Sequence, residues 1–172
     1  MLFWIAQILG VFTFAFYIPS FQMKTKENLL IMQVVSNTFA TAQYMLLAAF
    51  AGAAQNLLGV LRGAAFYLYK KRGFDPNIAL FIVFEAAIVF GAVLTWDNIL
   101  SLLPLIGMSA NLYGQWQNNM KIIRILAVVS AVLWSVYAFY TGVYTAMITE
   151  LFKMGSSIIG LWRFKKINPD KN

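Results

Sequence analysis

The sequence predicts an all-α membrane protein of seven transmembrane helices, laid out as two parallel three-helix bundles joined by a connector helix. Three observations carry that prediction. Hydrophobic residues make up 61% of the 172 and charged residues only 11%, about half the charged share of a soluble domain. Apolar segments follow one another almost without interruption, at about 2–22, 29–50, 51–71, 77–95, 98–116, 120–140 and 143–164, and a helix crosses roughly 30 Å of hydrocarbon in about 20 residues. Finally, the basic residues gather on alternate connections. Of 13 Lys and Arg, all but Arg62 and Lys153 lie beside the second-side connections: Lys24 and Lys26; Lys70, Lys71 and Arg72; Lys121 and Arg124; and Arg163, Lys165, Lys166 and Lys171. The opposite side has none. Lys and Arg in short loops are retained in the cytoplasm, so the N-terminus is expected outside and the C-terminus inside.

The elements follow in order. The first segment has no basic residue ahead of it, the reverse of a cleaved leader, and is read as a retained helix. Breaks are expected at Lys24–Asn28, at Ala51 and Gly52, at Lys70–Pro76, at Asp97 and Asn98, at Gln117–Lys121, and at Thr141 and Gly142. Pro76 suits the first turn of the fourth helix. Pro19 and Pro104 fall inside or near the ends of helices one and five, where a missing N–H permits a kink, and both are hinge candidates. The bundles are assigned to residues 1–72 and 98–166, the connector helix to 73–97 and a cytoplasmic tail to 167–172. A weak internal repeat supports this division: Tyr17–Met23 can be laid over Tyr113–Asn119, and Asn56–Arg72 over Glu150–Lys166. Both trios then start on the same side, as parallel repeats do.

Composition also excludes. The formal charge of +7 sits at helix ends rather than as a stripe, which argues against a nucleic-acid partner. There is neither Cys nor His. Disulfides, thiol and imidazole chemistry, and the usual zinc sites are therefore removed. No nucleophile–base pair or metal-ligand set is visible, so an enzyme is not expected, and neither a cofactor nor a metal.

Chemistry concentrates on two helices. At 100° per residue, Asn56, Gly59 and Gly63 share one face of the third helix with Arg62 at its border, and an ionised Arg inside a bilayer costs about 2.5–3.5 kcal/mol on insertion scales. On the seventh helix Glu150, Lys153, Ser156, Ser157 and Gly160 fall within about 120°. The repeat lays Glu150 over Asn56, so two polar seams are expected to face a common midplane site. Asn56, Arg62, Glu150 and Lys153 are its leading candidates, with Asn37, Asn111 and Tyr137 as further pocket residues. The competing reading is structural: Glu150 pairs with Lys153 or Arg62 to neutralise buried charge, and Asn37 and Asn111 make ordinary interhelical bonds. Trp134, Tyr137, Tyr140 and Tyr144 form an aromatic group near the outer face, which reads as an interface belt or as a stacking surface for a solute, and Trp96 and Trp162 read as belt residues. Glu85, alone in the fourth helix, is a proton-coupling candidate or a residue bonded to a neighbouring helix.

Tyr17, Pro19, Lys24, Thr25, Lys26 and Tyr44 resemble the PQ-loop and SWEET pattern, although Ser20 stands where that pattern carries Gln. Ala6–Gly10, Asn56–Arg62, Leu103–Gly107 and Trp162–Phe164 together resemble the bacterial inner-membrane YgjV family over nearly the whole chain. That resemblance implies a SWEET-like fold in the inner membrane and supplies no substrate. The expected function is a small-solute transporter working by alternating access, whose solute is sugar-, amino-acid- or nucleoside-like; the alternative is a non-transporting receptor, scaffold or oligomer subunit. The partners expected are a small solute and the lipid bilayer, and a homo-oligomer is compatible with either reading.

Overall fold

A computed structural model describes residues 2–20, 26–117 and 120–167. Among these the chain forms seven α-helices and no strand: α1 (Leu2–Ser20), α2 (Lys26–Leu46), α3 (Phe50–Lys71), α4 (Ile78–Leu94), α5 (Leu102–Trp116), α6 (Met120–Tyr140) and α7 (Tyr144–Ile167), with a 3₁₀ turn, Ile99–Ser101, leading into α5. Lys24 and the tail after Ile167 lie outside the described residues, as do Asn118 and Asn119.

Helix ends follow local chemistry. After α3, Gly73 takes φ +80°, its N–H bonds Lys70 O, and Phe74 N–H bonds Tyr69 O. These are the two bonds of a Schellman cap, whose left-handed residue is normally glycine. Gly142, at φ +72°, ends α6 in the same way, with Val143 N–H on Ala138 O. The α2–α3 connection corrects the expected break. It turns at Leu47–Ala49, where Ala48 takes the left-handed position at φ 55° and Ala49 N–H bonds Tyr44 O. Ala51 and Gly52 are instead buried in the first turn of α3, because a Cβ on Gly52 would come within 2.7 Å of the Tyr44 ring. Pro76 likewise lies one residue ahead of the cap. Asn77 caps α4 by accepting from Leu80 N–H at 2.9 Å, and Pro76 precedes it.

Six helices close a ring. Chain neighbours pack as α1–α2–α3 and α5–α6–α7, α1 meets α7, α3 meets α5, and α4 packs outside the ring against α3 and α5. The distribution of polarity is the reverse of a soluble core. Gln33, Gln43, Gln55, Arg62 and Lys153 are buried, while Trp4, Leu61, Phe90, Val93, Phe139 and Trp162 are each more than half exposed. A soluble monomer does not present that much apolar surface.

Of the seven spans expected, α1 and the Lys121–Tyr140 stretch of α6 are by themselves long and apolar enough to cross a bilayer; α4 is apolar but 17 residues long. The difference has a physical reason. In α2, α3 and α7, Gln, Asn, Arg, Glu and Lys occupy the face turned into the ring, which lowers the mean apolarity of helices whose outer faces are Leu, Ile and Phe. At 15 residues, α5 is short, and the 3₁₀ turn extends it.

Candidate functional site: a polar chamber inside the helix ring

The ring encloses a chamber of about 50 Å³, room for roughly three to five waters. Its largest wall is α2, where Gln33, Ser36, Asn37, Ala40 and Tyr44 recur at steps of three, one, three and four and so share one helical face. Opposite stand Met108, Asn111 and Gln115 of α5 with Trp134 of α6. Asn56 and Arg62 enter from α3, Thr149 and Glu150 from α7, and Thr13 and Tyr17 from α1. Asn56 and Glu150 thus look into one space, as the facing seams require.

The chamber is bounded at both ends. Toward the end carrying the Ala48 and Gly142 turns, Tyr44, Trp134 and Tyr137 form an aromatic cluster with ring centroids 5.8–6.1 Å apart. Tyr137 Oη accepts from Gly52 N–H at 3.1 Å, tying α6 to the start of α3. A matching tie joins α2 to the start of α7: Gln43 Nε2 donates to Thr145 Oγ1 at 2.6 Å, and that hydroxyl donates to Gln7 Oε1 at 2.9 Å. Gly10 makes room for it, since a Cβ there would overlap Thr145 Oγ1. Toward the basic end, Gln115 Nε2 donates to Gln33 Oε1 at 3.0 Å, bridging α5 and α2 across the ring.

The charged groups are held in different ways. Lys153, 1% exposed, forms an ion pair with Glu150 on its own helix, and its Nζ stands 5.6 Å from the centre of the Tyr17 ring. Arg62, 3% exposed, forms no ion pair with any described residue; Nη1 donates to Met108 Sδ at 3.1 Å, and Nε has no hydrogen-bond partner. A thioether is a weak acceptor.

The predicted residues divide accordingly. Asn56, Arg62, Glu150, Asn37 and Asn111 line the chamber. Asn111 also donates to Ser130 Oγ at 2.8 Å, and Asn56 Nδ2 to Gly52 O at 2.9 Å. Lys153 stands behind Glu150 rather than in the wall, and Tyr137 backs the aromatic cluster without reaching the space. Tyr140 and Tyr144 are exposed, so the expected aromatic group splits into an inner and an outer pair. Glu85 lies outside the chamber, accepting from Ser109 Oγ at 2.6 Å between α4 and α5. Pro19 interrupts α1 one residue before its end, whereas Pro104 stands in the first turn of α5, where a missing N–H breaks no helical bond. A kink at Pro104 therefore lacks the expected cause.

Sequence reasoning missed Tyr17, Gln33, Tyr44 and Gln115 as wall residues. The signal was present for α2: the 100° projection that exposes the seam of α7 also places Gln33, Asn37 and Tyr44 together. The same projection places Gln115 four residues after Asn111 on one face of α5, so that signal was present too.

Comparison with known proteins adds a family and no function. No curated protein and no solved structure matches the chain. A family model described as Imp-YgjV, bacterial inner membrane protein, matches residues 4–168. With an outside of exposed apolar side chains, an inside of buried amides and charges, and that match from end to end, the chain belongs to the Imp-YgjV family of bacterial inner membrane proteins.

Proposed function

We propose that this protein is a small-solute carrier of the inner membrane, in which α1–α3 and α5–α7 are parallel repeats that rock about the chamber between them. In this reading all seven helices cross the bilayer in a SWEET-like three-one-three layout, with the N-terminus outside and the basic connections inside. One observation carries the proposal: a polar space lined by both trios, with Asn56 and Glu150, equivalent positions of the repeat, on its walls. Element bounds support the repeat. Lys26 and Met120, Phe50 and Tyr144, and the turn residues Ala48 and Gly142 are each 94 positions apart, as are Asn56 and Glu150. The two ties at the turn end are exchanged in the same sense, α2 to α7 and α6 to α3. Such ties, together with the Gln33–Gln115 bridge, suit gates that open alternately.

Purified protein in liposomes is the test. Saturable uptake of a sugar, organic acid, amino acid or nucleoside, reduced by Asn56→Ala and by Asn111→Ala, is expected. Wild-type uptake in both variants would remove the chamber from the mechanism. The non-transporting reading is favoured by the Gln33–Gln115 and Asn111–Ser130 bonds, which tie chamber amides to one another and to the wall, although Gln115 Oε1 keeps no partner. It predicts that the same substitutions lower thermal stability while no solute is taken up.

A further inference from the structure

The chamber contains a buried cation with which no carboxylate among the described residues forms an ion pair. Arg62 lines the space, is almost wholly buried, and has only a thioether sulfur on Nη1 and nothing on Nε. The single carboxylate in the wall, Glu150, is engaged by Lys153. Glu85 lies outside the wall; one oxygen accepts from Ser109 and the other is buried without a hydrogen-bond partner, and it acts on Arg62 electrostatically without forming an ion pair with it. A guanidinium presents five donors in a planar fork that matches a carboxylate, and an uncompensated charge in a low-dielectric site is costly until an anion meets it. The other groups at hand, Asn37, Asn56, Asn111 and Gln115, are amides, suited to hydroxyl or keto oxygens. The wall itself holds no carboxylate outside the Glu150–Lys153 pair to receive an ammonium group.

Resting on the carrier reading, we infer that the solute is a small organic-acid anion, a carboxylate without an amino group, and that Arg62 binds its carboxylate. Arg62 also selects against cations, because it repels them at short range in a medium that screens poorly.

The experiment uses the full chain in proteoliposomes with radiolabelled gluconate, lactate and succinate, set against glucose, uridine, alanine and arginine. In parallel, thermal unfolding of the detergent-purified protein is followed with each compound and with inorganic phosphate. Expected is saturable uptake of at least one carboxylate, competed by other carboxylates and not by glucose or arginine. Arg62→Gln should lower that uptake at least tenfold at limiting solute, and Arg62→Lys should restore part of it. Both variants should keep the unliganded unfolding temperature, which separates lost binding from lost folding. Uptake of glucose, uridine or arginine that Arg62→Gln leaves intact would overturn the anion assignment while leaving a carrier. A carboxylate-dependent rise in unfolding temperature that vanishes in Arg62→Gln, with no uptake of anything, would uphold the anion site and remove the carrier. A phosphate effect without a carboxylate effect, or no effect of any anion on unfolding or uptake, would overturn the proposal.

Discussion

α3 and α7 start from the same kind of turn, lie 94 residues apart, and bury charge in opposite ways. On α7, Glu150 and Lys153 are one helical turn apart and neutralise one another. On α3 the positions 94 residues earlier are Asn56 and Gly59, both uncharged, and the charge appears one turn later as Arg62, which forms no ion pair with a described carboxylate. If the two helices are repeats, as proposed, one holds its charge in an ion pair on the same helix and the other holds a charge that forms no ion pair among the described residues. The difference teaches that burial of a charge is not by itself a sign of binding. A paired group is structure until shown otherwise; an unpaired group aimed into a cavity is the stronger pointer to a ligand.

Breaking the pair on α7 has the largest expected effect. Lys153→Met strands Glu150 beside a buried wall, and losing one partner of a buried pair costs about 3–5 kcal/mol. For a chain of this size that lowers the unfolding temperature by roughly 10 °C, measurable by circular dichroism in detergent. Replacing both partners, Glu150→Leu with Lys153→Met, should recover most of the loss. The same operation on α3 gives the contrasting result: Arg62→Met removes a buried charge that forms no ion pair, so stability holds or rises. Solute binding falls by about 1.5–3 kcal/mol, the worth of a hydrogen bond to a charged group, read by uptake at limiting concentration.

Gly59 sharpens the comparison further, since Lys153 occupies its place on α7. A Cβ at Gly59 would stand 2.8 Å from Asn37 Nδ2, pushing that amide out of position. Gly59→Ala should cost about 1–2 kcal/mol in stability and alter the Michaelis constant for uptake, whereas Gly155→Ala on α7, with open space around it, should do neither. The smallest effects belong to the two turns. Gly142→Ala places a side chain at φ +72° and should cost about 1 kcal/mol. Ala48→Gly relaxes the equivalent turn but adds freedom to the unfolded chain, leaving a change of about 0.5 kcal/mol or less. Thermal unfolding of the two variants side by side checks the pair.

The residues disclosed the helices more fully than the site. Seven apolar runs separated by Gly, Asn and basic clusters locate seven helices, because hydropathy and capping act locally. The α2–α3 break was misplaced because Ala51–Gly52 carries the composition of a turn, whereas its small size serves to admit Tyr44 and Tyr137. Asn56, Glu150 and Arg62 were legible as polar letters in apolar helices, and the expected repeat laid the first two over one another. Glu85 bonded to a neighbouring helix was one of the two sequence readings, and Ser109 is that partner; what was not legible is that Glu150 pairs with Lys153 rather than with Arg62 and that Tyr137 turns its hydroxyl to Gly52. Each depends on how helices rotate against one another, which periodicity alone does not set.

A cysteine-free chain allows the central claim to be measured directly, with single cysteines at Asn56, Asn111, Glu85 and Val93 exposed to anionic and cationic thiol reagents of equal size. The account predicts labelling at positions 56 and 111, faster with the anionic reagent by roughly tenfold while Arg62 is present and at similar rates after Arg62→Gln, with the lipid-facing control at 93 silent and 85 slow. Equal labelling at all four positions, or no anionic preference at 56 and 111, would contradict a shared aqueous space whose field is set by the Arg62 guanidinium.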